Sequence, residues 1–375
     1  MRRLIAGSLF AVSAISVFAG LYGDAPDARH AWCVHDWNRP APKKIDAQPG
    51  KPPSDAVVLF DGSSLENWVN SKGEPAAWTL VDGAMEVAPK TGEIKTKQAF
   101  GDCQLHIEWR TPTEFKGEGQ ARSNSGVFLM GYEVQVLDSY ESRTYADGQA
   151  SSVYGQNPPL VNATRAPGEW QTYDIVFHQP RWDGDKLIYP GSVTVLHNGV
   201  LTQDHWKYDG KTSHCQRAPL AKHADKMPLA LQDHGNKVQF RNIWIREIPA
   251  YQANTTHGTE YVKEDDVKKL RAETAAALYA AKPAGQHNIQ DILEVLAYDN
   301  YSNAFASTYT KDFTRLSEVE VKKLNGYTPE QAVAAKGEIL ALNKSCSVVV
   351  KAGVLSAEDP LVKAVRKVVS DNKLK

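Results

Sequence analysis

Hydrophobic and polar residues alternate in two different ways along the chain. From about residue 54 to residue 249, short hydrophobic runs are separated by turn signals such as Asp82-Gly83 and Asn198-Gly199. Many short strands joined by tight turns are typical of a β-sandwich or a β-barrel. The pattern therefore predicts a mainly β domain over residues 54–249, with strands at 57–60, 78–81, 84–87, 103–111, 125–131, 132–138, 170–178, 192–196 and 240–247.

Beyond Pro249 the hydrophobic residues recur at helical spacing instead. Residues 265–281 are rich in Ala, Leu, Lys and Glu, with hydrophobic positions three to four residues apart. Thr328 followed by Pro329 predicts a capped helix through Leu342, and Ser356 begins a segment that predicts another helix through Val369. We therefore expect a linker over 250–264 and a small α-helical domain over 265–375.

The first 19 residues have the pattern of a secretory signal peptide. Arg2 and Arg3 precede a hydrophobic stretch of about 15 residues, and Ala19 offers a cleavage site. An uncleaved anchor is the alternative, but the stretch is shorter than the roughly 20 residues that a spanning helix needs. We predict an exported bacterial protein, periplasmic or extracellular, with no membrane span after cleavage. Residues 20–53, rich in Pro, Lys and Gly, are predicted to be an extended segment or linker.

Charge and cysteine content narrow the function only a little. The formal net charge is −1 and there is no long basic run, so nucleic acid is not an expected partner. No nucleotide cofactor is expected either. Export would permit disulfides, but four cysteines allow three pairings and free buried thiols fit equally well. The sequence leaves this choice open for Cys33, Cys103, Cys215 and Cys346.

Two predicted strands carry an unusually ionisable polar face. In a strand, alternate side chains point to opposite faces, so Gln104, His106, Glu108 and Arg110 share one face. Glu133 and Gln135 share a face of another strand in the same way. An ordinary solvent-exposed sheet face is the alternative interpretation. Carboxylates, amides and nearby aromatic rings suit sugars, whose hydroxyl groups need polar partners and whose rings have apolar faces, and we favour that interpretation.

Two loop segments add further candidate residues. Gln232, Asp233 and His234 stand together before Gly235, and Asp233 is placed to orient His234 as a base or a metal ligand, although the spacing is not a standard zinc motif. Arg122 and Asn124 precede the strand at Ser125 and would hold a polar ligand at the rim of the sheet.

These segments together resemble the 3-keto-disaccharide hydrolase family. The resemblance covers roughly residues 54–249 and rests on the order of motifs that are individually weak. They are Leu59-Phe60-Asp61-Gly62 with Trp68, Asn124-Ser125-Gly126-Val127-Phe128, the segments 132–138 and 168–173, His197-Asn198-Gly199-Val200, Leu231-Gln232-Asp233-His234-Gly235, and Phe240-Arg241-Asn242-Ile243. Residues 35–40 also resemble the segment that precedes the domain in a secreted branch of the family. The tail after about residue 265 is not covered.

The resemblance implies a concanavalin A-like jelly-roll β-sandwich and a divalent metal in the site. It also implies glycoside or oligosaccharide substrates whose C3 hydroxyl has been oxidised to a ketone. The ketone acidifies the proton on C2, so a base can remove that proton, the C1 substituent can leave, and water can add. One departure is Ser123, where the family often has Gly between Arg and Asn, and this puts the shape of that loop in doubt.

This chemistry needs a base, an acid and an electrophile, and we predict a role for each candidate residue. His234 is the predicted base or acid with Asp233 as its orienting partner, and Glu133 is the first candidate metal ligand, followed by His106 and Glu108. The predicted substrate-binding residues are Gln135, Arg122, Asn124, Arg241, Gln232, Tyr145 and Trp170, the last two as stacking platforms.

Two other functions remain open. A classical glycoside hydrolase would use two carboxylates roughly 5 to 9 Å apart, for which Glu133 and Glu108 are candidates. A non-catalytic carbohydrate-binding module is the other, and the cluster of ionisable groups argues against it. The helical tail would cap the site, mediate oligomerisation or dock a partner protein.

Overall fold

The structure is a computed structural model that describes residues 23–27, 30–37, 39–248, 264–299 and 306–375. These residues form two compact units. Residues 43–248 make up the first unit, and the described residues up to Pro42 join the helices from Glu264 onward in the second. The predicted signal peptide and the predicted linker up to residue 263 lie outside the described residues.

The first unit consists of antiparallel strands. Their bounds are β1 (Val57–Phe60), β2 (Trp68–Asn70), β3 (Thr79–Val81), β4 (Ala84–Glu86), β5 (Ile94–Phe100), β6 (Cys103–Arg110), β7 (Ser125–Leu129), β8 (Tyr132–Val136), β9 (Gln171–His178), β10 (Arg181–Asp183), β11 (Lys186–Tyr189), β12 (Ser192–His197), β13 (Val200–Lys207), β14 (Met227–Leu231) and β15 (Gln239–Glu247).

Two large sheets make up the sandwich. An eight-stranded sheet has the order β13-β12-β9-β6-β15-β4-β3, with β1 also paired to β15, and a five-stranded sheet has the order β2-β5-β14-β7-β8. Strands β10 and β11 form a separate two-stranded ribbon. The predicted β-sandwich is confirmed. The order of the strands also places β6 and β8, which carry the two predicted polar faces, in different sheets.

The predicted hairpins form because their turn residues tolerate positive φ. Asp82 and Gly83 have φ values of 50° and 75°, and Asn198 and Gly199 have values of 53° and 78°. Two consecutive residues with positive φ are the mark of the tight turn that matches the twist of paired strands. The first turn joins β3 to β4, and the second joins β12 to β13.

Strand alternation builds the core as predicted. Along β6, buried residues alternate with half-buried ones, and β9 beside it repeats the pattern. Leu105, Ile107 and Trp109 of β6 therefore enter a single hydrophobic cluster. Aromatic residues supply much of its volume, including Trp68, Trp109, Tyr132, Phe177 and Phe240.

The second unit contains the helices α1 (Glu264–Ala280), α2 (Ile289–Asp299), α3 (Ala306–Asn325), α4 (Pro329–Ala334), α5 (Lys336–Lys351) and α6 (Pro360–Asp371). The predicted cap at Thr328 forms a capping box, in which Gln331 N donates to the Thr328 side chain and Thr328 N donates to Gln331 Oε1. The prediction of one continuous helix through Leu342 is wrong. The chain leaves helical geometry at Ala335, which separates α4 from α5.

Part of the segment predicted as a linker belongs to this helical unit. Cys33 is buried in the helical core, and the Trp32 ring packs edge-on against Tyr298. Arg271 is almost fully buried, and its guanidinium donates to three backbone carbonyls, those of Asp27, Ala297 and Tyr298. The arginine therefore fastens the N-terminal segment to α1 and α2.

Replacing Arg271 with Ala should destabilise the helical unit strongly. The variant leaves three carbonyls without this donor, two of them in buried hydrogen bonds, and hydrogen bonds to a charged group are worth about 1.5–3 kcal/mol each, so we expect a loss of at least 3 kcal/mol. Helical circular dichroism during urea unfolding measures it. Arg315→Ala, which removes a half-exposed partner of Asp312, is the matched control and should cost less than about 1 kcal/mol. Equal losses in the two variants would contradict the assigned role of Arg271.

The four cysteines are free in the structure, with Cys33, Cys103 and Cys346 buried and Cys215 exposed. Among the described helices, none combines the length and the apolar composition needed to cross a bilayer.

Candidate functional site

A polar cavity of about 630 Å³ opens against strands β7 and β8 of the five-stranded sheet. Six predicted site residues line it, namely Asn124, Glu133, Gln135, Tyr145, Gln232 and His234. The same cavity is lined by residues that the sequence analysis did not select, including Gln120, Tyr154, Thr212 and His214. The structure thus brings half of the predicted residues together.

Glu133 is the one carboxylate among the described residues that line this cavity. Its side chain is 7% exposed, and burial raises the pKa of Glu133 to about 8. A carboxyl group with such a pKa is largely protonated at neutral pH and can deliver a proton to a bound molecule.

Space for this carboxyl group comes from Gly126 on the neighbouring strand. Gly126 pairs with Gln135 in the β7–β8 ladder. A Cβ atom at position 126 would overlap Glu133 Oε1 and approach the Phe128 ring to 2.9 Å. The glycine is therefore needed for room and not for an unusual backbone conformation.

A line of amides fixes the surroundings of Glu133. Gln135 lies between Gln120 and Glu133, with one amide atom 2.8 Å from Gln120 Oε1 and the other 3.0 Å from Glu133 Oε1. Gln120 Nε2 donates to Thr144 Oγ1 and to the carbonyl of Gly148. Asn124 Nδ2 donates to the backbone and side-chain oxygens of Gln120.

This arrangement couples the proton of Glu133 to the orientation of Gln135. A protonated Glu133 can donate to the amide oxygen of Gln135, while Gln135 Nε2 donates to Gln120. An ionised Glu133 must instead accept from the amide nitrogen of Gln135, because two acceptors repel each other. The turned amide would place its oxygen 2.8 Å from Gln120 Oε1, which accepts from Asn124 Nδ2, so Gln120 would have to turn as well.

The segment after β14 supplies Gln232 and His234 to the cavity, beside β7. Gln232 is held through its backbone, because its N–H donates to Gly126 and its carbonyl accepts from Ser125 Oγ. Gln232 Oε1 is buried and has no hydrogen-bond partner within the described part of the chain. A substrate hydroxyl group is a suitable donor for this oxygen.

Asp233 does not orient His234, contrary to the prediction. Its two carboxylate oxygens accept from the backbone N–H groups of Gly92 and Gly235, at 3.0 and 2.8 Å. Asp233 therefore fixes the turn that carries His234, and its two carboxylate oxygens bind backbone N–H groups instead of the imidazole.

Hydrogen-bonded tyrosines and a histidine form another wall of the cavity. Tyr154 Oη lies 2.8 Å from Tyr145 Oη and 2.8 Å from His214 Nδ1. Burial, followed by the neighbouring Tyr145, raises the pKa of Tyr154, so this phenol stays protonated and acts as a hydrogen-bond donor. The segments 145–154 and 212–217 contain no strand. The sequence therefore has no periodic pattern there that would predict Tyr154 and His214 as site residues.

The structure does not bring the three predicted metal ligands together, since His106 Nε2 lies 3.8 Å from Glu108 Oε1 but Glu133 lies elsewhere. Glu133 lies on β8, whereas His106 and Glu108 lie on β6 in the other sheet. His106 Nδ1 is 2.7 Å from Asp174, and Glu108 accepts from Arg241 Nε and Asn242 Nδ2 at 2.6 and 2.9 Å. Burial alone would raise the pKa of Glu108, but these hydrogen bonds and the charge of Arg241 lower it below its ordinary value.

Arg241, Trp170 and Arg122 also lie away from the cavity, contrary to their predicted roles in substrate binding. The guanidinium group of Arg241 lies 4.0 Å from the centre of the Trp170 ring, and that of Arg110 lies 4.7 Å from it. Two arginine side chains therefore stack on the ring that was predicted to stack on a sugar. Arg122 Nε donates to Asp138, and its guanidinium lies 3.7 Å over the Phe115 ring.

The described residues do not fit a divalent metal. Among them, no group of three or more His, Cys, Asp or Glu side chains is close enough to bind one ion. The Gln135 amide lies 3.0 Å from Glu133 Oε1, and no second carboxylate lines the cavity among the described residues. The metal therefore stays a prediction from the resemblance.

Ser123, which stands where the family often has Gly, adopts a backbone conformation typical of glycine. Its φ is 53°, in the left-handed region that favours glycine. The loop before β7 thus keeps a backbone shape that glycine adopts easily, with Asn124 N donating to Asn236 Oδ1.

A sandwich with a polar cavity on one sheet agrees with the comparisons with known proteins, which identify a carbohydrate-active family. Residues 55–246 match the model of the 3-keto-alpha-glucoside-1,2-lyase-like domain, and the chain belongs to this family. It is 23% identical over 248 residues to a 3-keto-disaccharide hydrolase of Bacteroides thetaiotaomicron, which covers 51% of this chain and 78% of that protein. The predicted family is confirmed.

A solved structure supports the fold independently. It comes from Parabacteroides distasonis ATCC 8503 and is provisionally assigned as a glycosyl hydrolase. The two chains are 45% identical, with a TM-score of 0.54, and the match covers 56% of this chain and 93% of the other.

Proposed function

We propose that this protein is an exported enzyme that cleaves 3-keto-glycosides by elimination and hydration. The observation that carries the proposal is the buried Glu133 carboxyl group, with its pKa of about 8, in a cavity lined by amides and imidazoles. Such a cavity offers hydrogen-bond partners for sugar hydroxyl groups and one acid that is protonated at neutral pH. The family match supports a sugar with a ketone at C3 as the substrate class.

In the first half of the reaction, a base takes the proton from C2 of the keto sugar. The electrons form an enediolate with the C3 carbonyl, and the bond from C1 to the leaving oxygen then breaks. His234 is the proposed base, because its imidazole lines the same cavity as the Glu133 carboxyl group. Glu133 gives its proton to the leaving oxygen, so that a neutral alcohol departs.

In the second half, water adds to C1 of the unsaturated ketone. Glu133, now ionised, takes a proton from this water, and His234 returns its proton to C2. Both groups recover their starting states, and the sum of the steps is hydrolysis. Gln135 Nε2, which donates one hydrogen to Gln120 Oε1, has a second hydrogen for the developing enolate oxygen, as an oxyanion requires, whereas both hydrogens of the Gln120 and Asn124 amides are used within the protein.

The classical two-carboxylate mechanism has little support from the geometry. Glu108, the second candidate, lies in the other sheet, and its pKa is lowered by its partners Asn242 and Arg241 despite its burial. Among the described residues that line the cavity, Glu133 has the one carboxyl group. An elimination needs only one acid and one base, which is the set found.

Deuterium at C2 of a 3-keto-glucoside should slow the cleavage. A C–H bond at C2 breaks only in the elimination mechanism, and direct attack at C1 leaves it intact. The measurement is release of the alcohol from methyl 3-keto-α-glucoside, with and without deuterium at C2, and from the unoxidised methyl glucoside as the control.

Two results would contradict the proposal. Equal cleavage of the oxidised and unoxidised glucosides would remove the ketone from the mechanism. Binding of the keto sugar without any turnover would identify a binding module. A chelator added to the same assay tests the predicted metal, because a loss of activity that a divalent ion restores would support it.

A further inference from the structure

A second cavity of about 310 Å³ adjoins the first one. The two share Tyr145, Tyr154, Ser213 and His214 in their linings. The second cavity, called here the side cavity, is otherwise lined by Asp147, Gly155, Cys215, Gln216 and Arg217. A ligand larger than one sugar ring could therefore extend from the main cavity past Tyr154 into the side cavity.

Close backbone contacts fix the walls of the side cavity. Gly155 has a φ of 69°, and a Cβ atom there would approach the carbonyl of Ser213 to 2.8 Å. The N–H of Gly155 donates to the carbonyl of Asp147. Any other residue at 155 would push the segment 213–217 away from the segment 145–148.

Tyr145 has the position of a stacking platform at the junction. A Cβ atom at Gly148 would overlap Tyr145 Cε2, so the ring lies directly on the glycine. The residue is nevertheless 43% exposed, which leaves the rest of the ring open to a ligand. A ring supported on one side and open on the other suits the apolar face of a sugar.

The charges of the side cavity are balanced. Asp147 and Arg217 provide one carboxylate and one guanidinium in its lining. Together they can accept from and donate to hydroxyl groups, and they offer no net attraction to an anion or a cation. This pairing favours a neutral, hydroxyl-rich group.

We infer that the side cavity is the subsite for the leaving group, and that Tyr145 and Arg217 select a second neutral sugar there. The inference rests on the proposed function and adds the position of the two sugar rings. The keto sugar lies over Glu133 in the main cavity, and the bond that breaks lies beside Tyr154. Tyr154 Oη, held by Tyr145 and His214, is then a positioning group for the bridging oxygen.

The test compares two substrates with the same keto ring. One is a 3-keto-disaccharide with an unmodified glucose as the leaving group, and the other is methyl 3-keto-α-glucoside, whose leaving group is too small to fill the side cavity. Arg217→Ala should lower the ratio of their kcat/KM values, disaccharide over methyl glycoside, about tenfold, because a lost hydrogen bond to a charged group has this effect. Gly148→Ala displaces the Tyr145 ring and also brings a Cβ atom to 2.9 Å from Gln120 Nε2, so it should slow both substrates and, through the Tyr145 ring, lower the same ratio.

Arg143→Ala is the matched control, since Arg143 is exposed and lines neither cavity. Its ratio should equal that of the wild type. An unchanged ratio in both Arg217→Ala and Gly148→Ala, at whatever turnover, would overturn the subsite and leave the proposed function intact. Failure of the wild-type enzyme on both substrates would instead overturn the proposed function, and the subsite with it.

Discussion

Replacing Glu133 with Gln should abolish most of the activity and at the same time stabilise the protein at alkaline pH. Gln has nearly the same shape and can keep the contact with Gln135, but it cannot transfer a proton. Loss of a general acid costs roughly 10²- to 10⁴-fold in rate. In the wild type, the activity should fall as the pH rises through about 8, because the carboxyl group loses its proton there.

The stability change follows from the difference between the folded and unfolded pKa values. Burial raises the pKa of Glu133 from an ordinary 4.5 to about 8, so the folded protein holds this proton more tightly than the unfolded chain does. Below about pH 4.5 both states are protonated and no penalty arises. Between pH 4.5 and 8 the stability falls with rising pH, and the full penalty above pH 8 is roughly 4 to 5 kcal/mol.

Glu133→Gln removes this penalty because its side chain is neutral in both states. The variant should therefore match the wild type near pH 4.5 and exceed it in the free energy of unfolding at pH 8. Urea unfolding at the two pH values measures the difference. Glu108→Gln is a control of opposite sign, since Glu108 is half-buried and has a lowered pKa, and its loss should destabilise the protein at pH 8.

Equal stabilities of Glu133→Gln and wild type at pH 8 would show that Glu133 is ionised in the folded protein. A fully active Glu133→Gln variant would remove the proton transfer from the mechanism.

Local patterns in the sequence determine those parts of the fold that were predicted. The Asn198-Gly199 turn was predictable because its conformation depends on two residues alone. The faces of β6 and β8 followed from alternation, since a strand side chain can point only to one side or the other. The buried state of both Glu133 and Gln135 was not predicted, because alternation does not indicate what covers the second face.

Relations between distant segments could not be predicted in this way. His106 and Glu133 have similar patterns but belong to different sheets, and the partner of each strand depends on the packing of the whole domain. The break at Ala335 likewise has no signal, because Ala335 stands in a segment with strong helical propensity. Strand β14 carries Pro228, which argues against a strand when read alone.

The missed residues of the site lie on irregular segments. Gln120 precedes β7 in a short turn, and His214 lies in the segment between β13 and β14. Their positions depend on backbone contacts such as that of Gly155 with Ser213. The glycines at 148 and 155 were the available signal, since a glycine outside a simple turn often marks a close approach of two segments.

Replacing Gly126 with Ala should inactivate the enzyme while Glu133 itself is retained. The added methyl group would overlap Glu133 Oε1 and press on the Phe128 ring, so the carboxyl group must move. A displacement of about 1 Å of a reacting group can cost about a hundredfold in rate, and we expect a loss of that size in kcat. Overpacking of this kind should also cost about 1–3 kcal/mol of stability.

Gly337→Ala provides the matched control. It makes the same substitution in helix α5, where a Cβ atom meets nothing within 4 Å. Because Ala favours helix over Gly, this variant should be slightly more stable than the wild type and equally active on methyl 3-keto-α-glucoside. If Gly126→Ala were equally active too, the position of the Glu133 carboxyl group over Gly126 would not matter to the reaction, and Glu133 could not be the proton donor in this cavity. A loss of activity together with a changed pH profile, while the protein remains folded, is the result that the geometry of β7 and β8 requires.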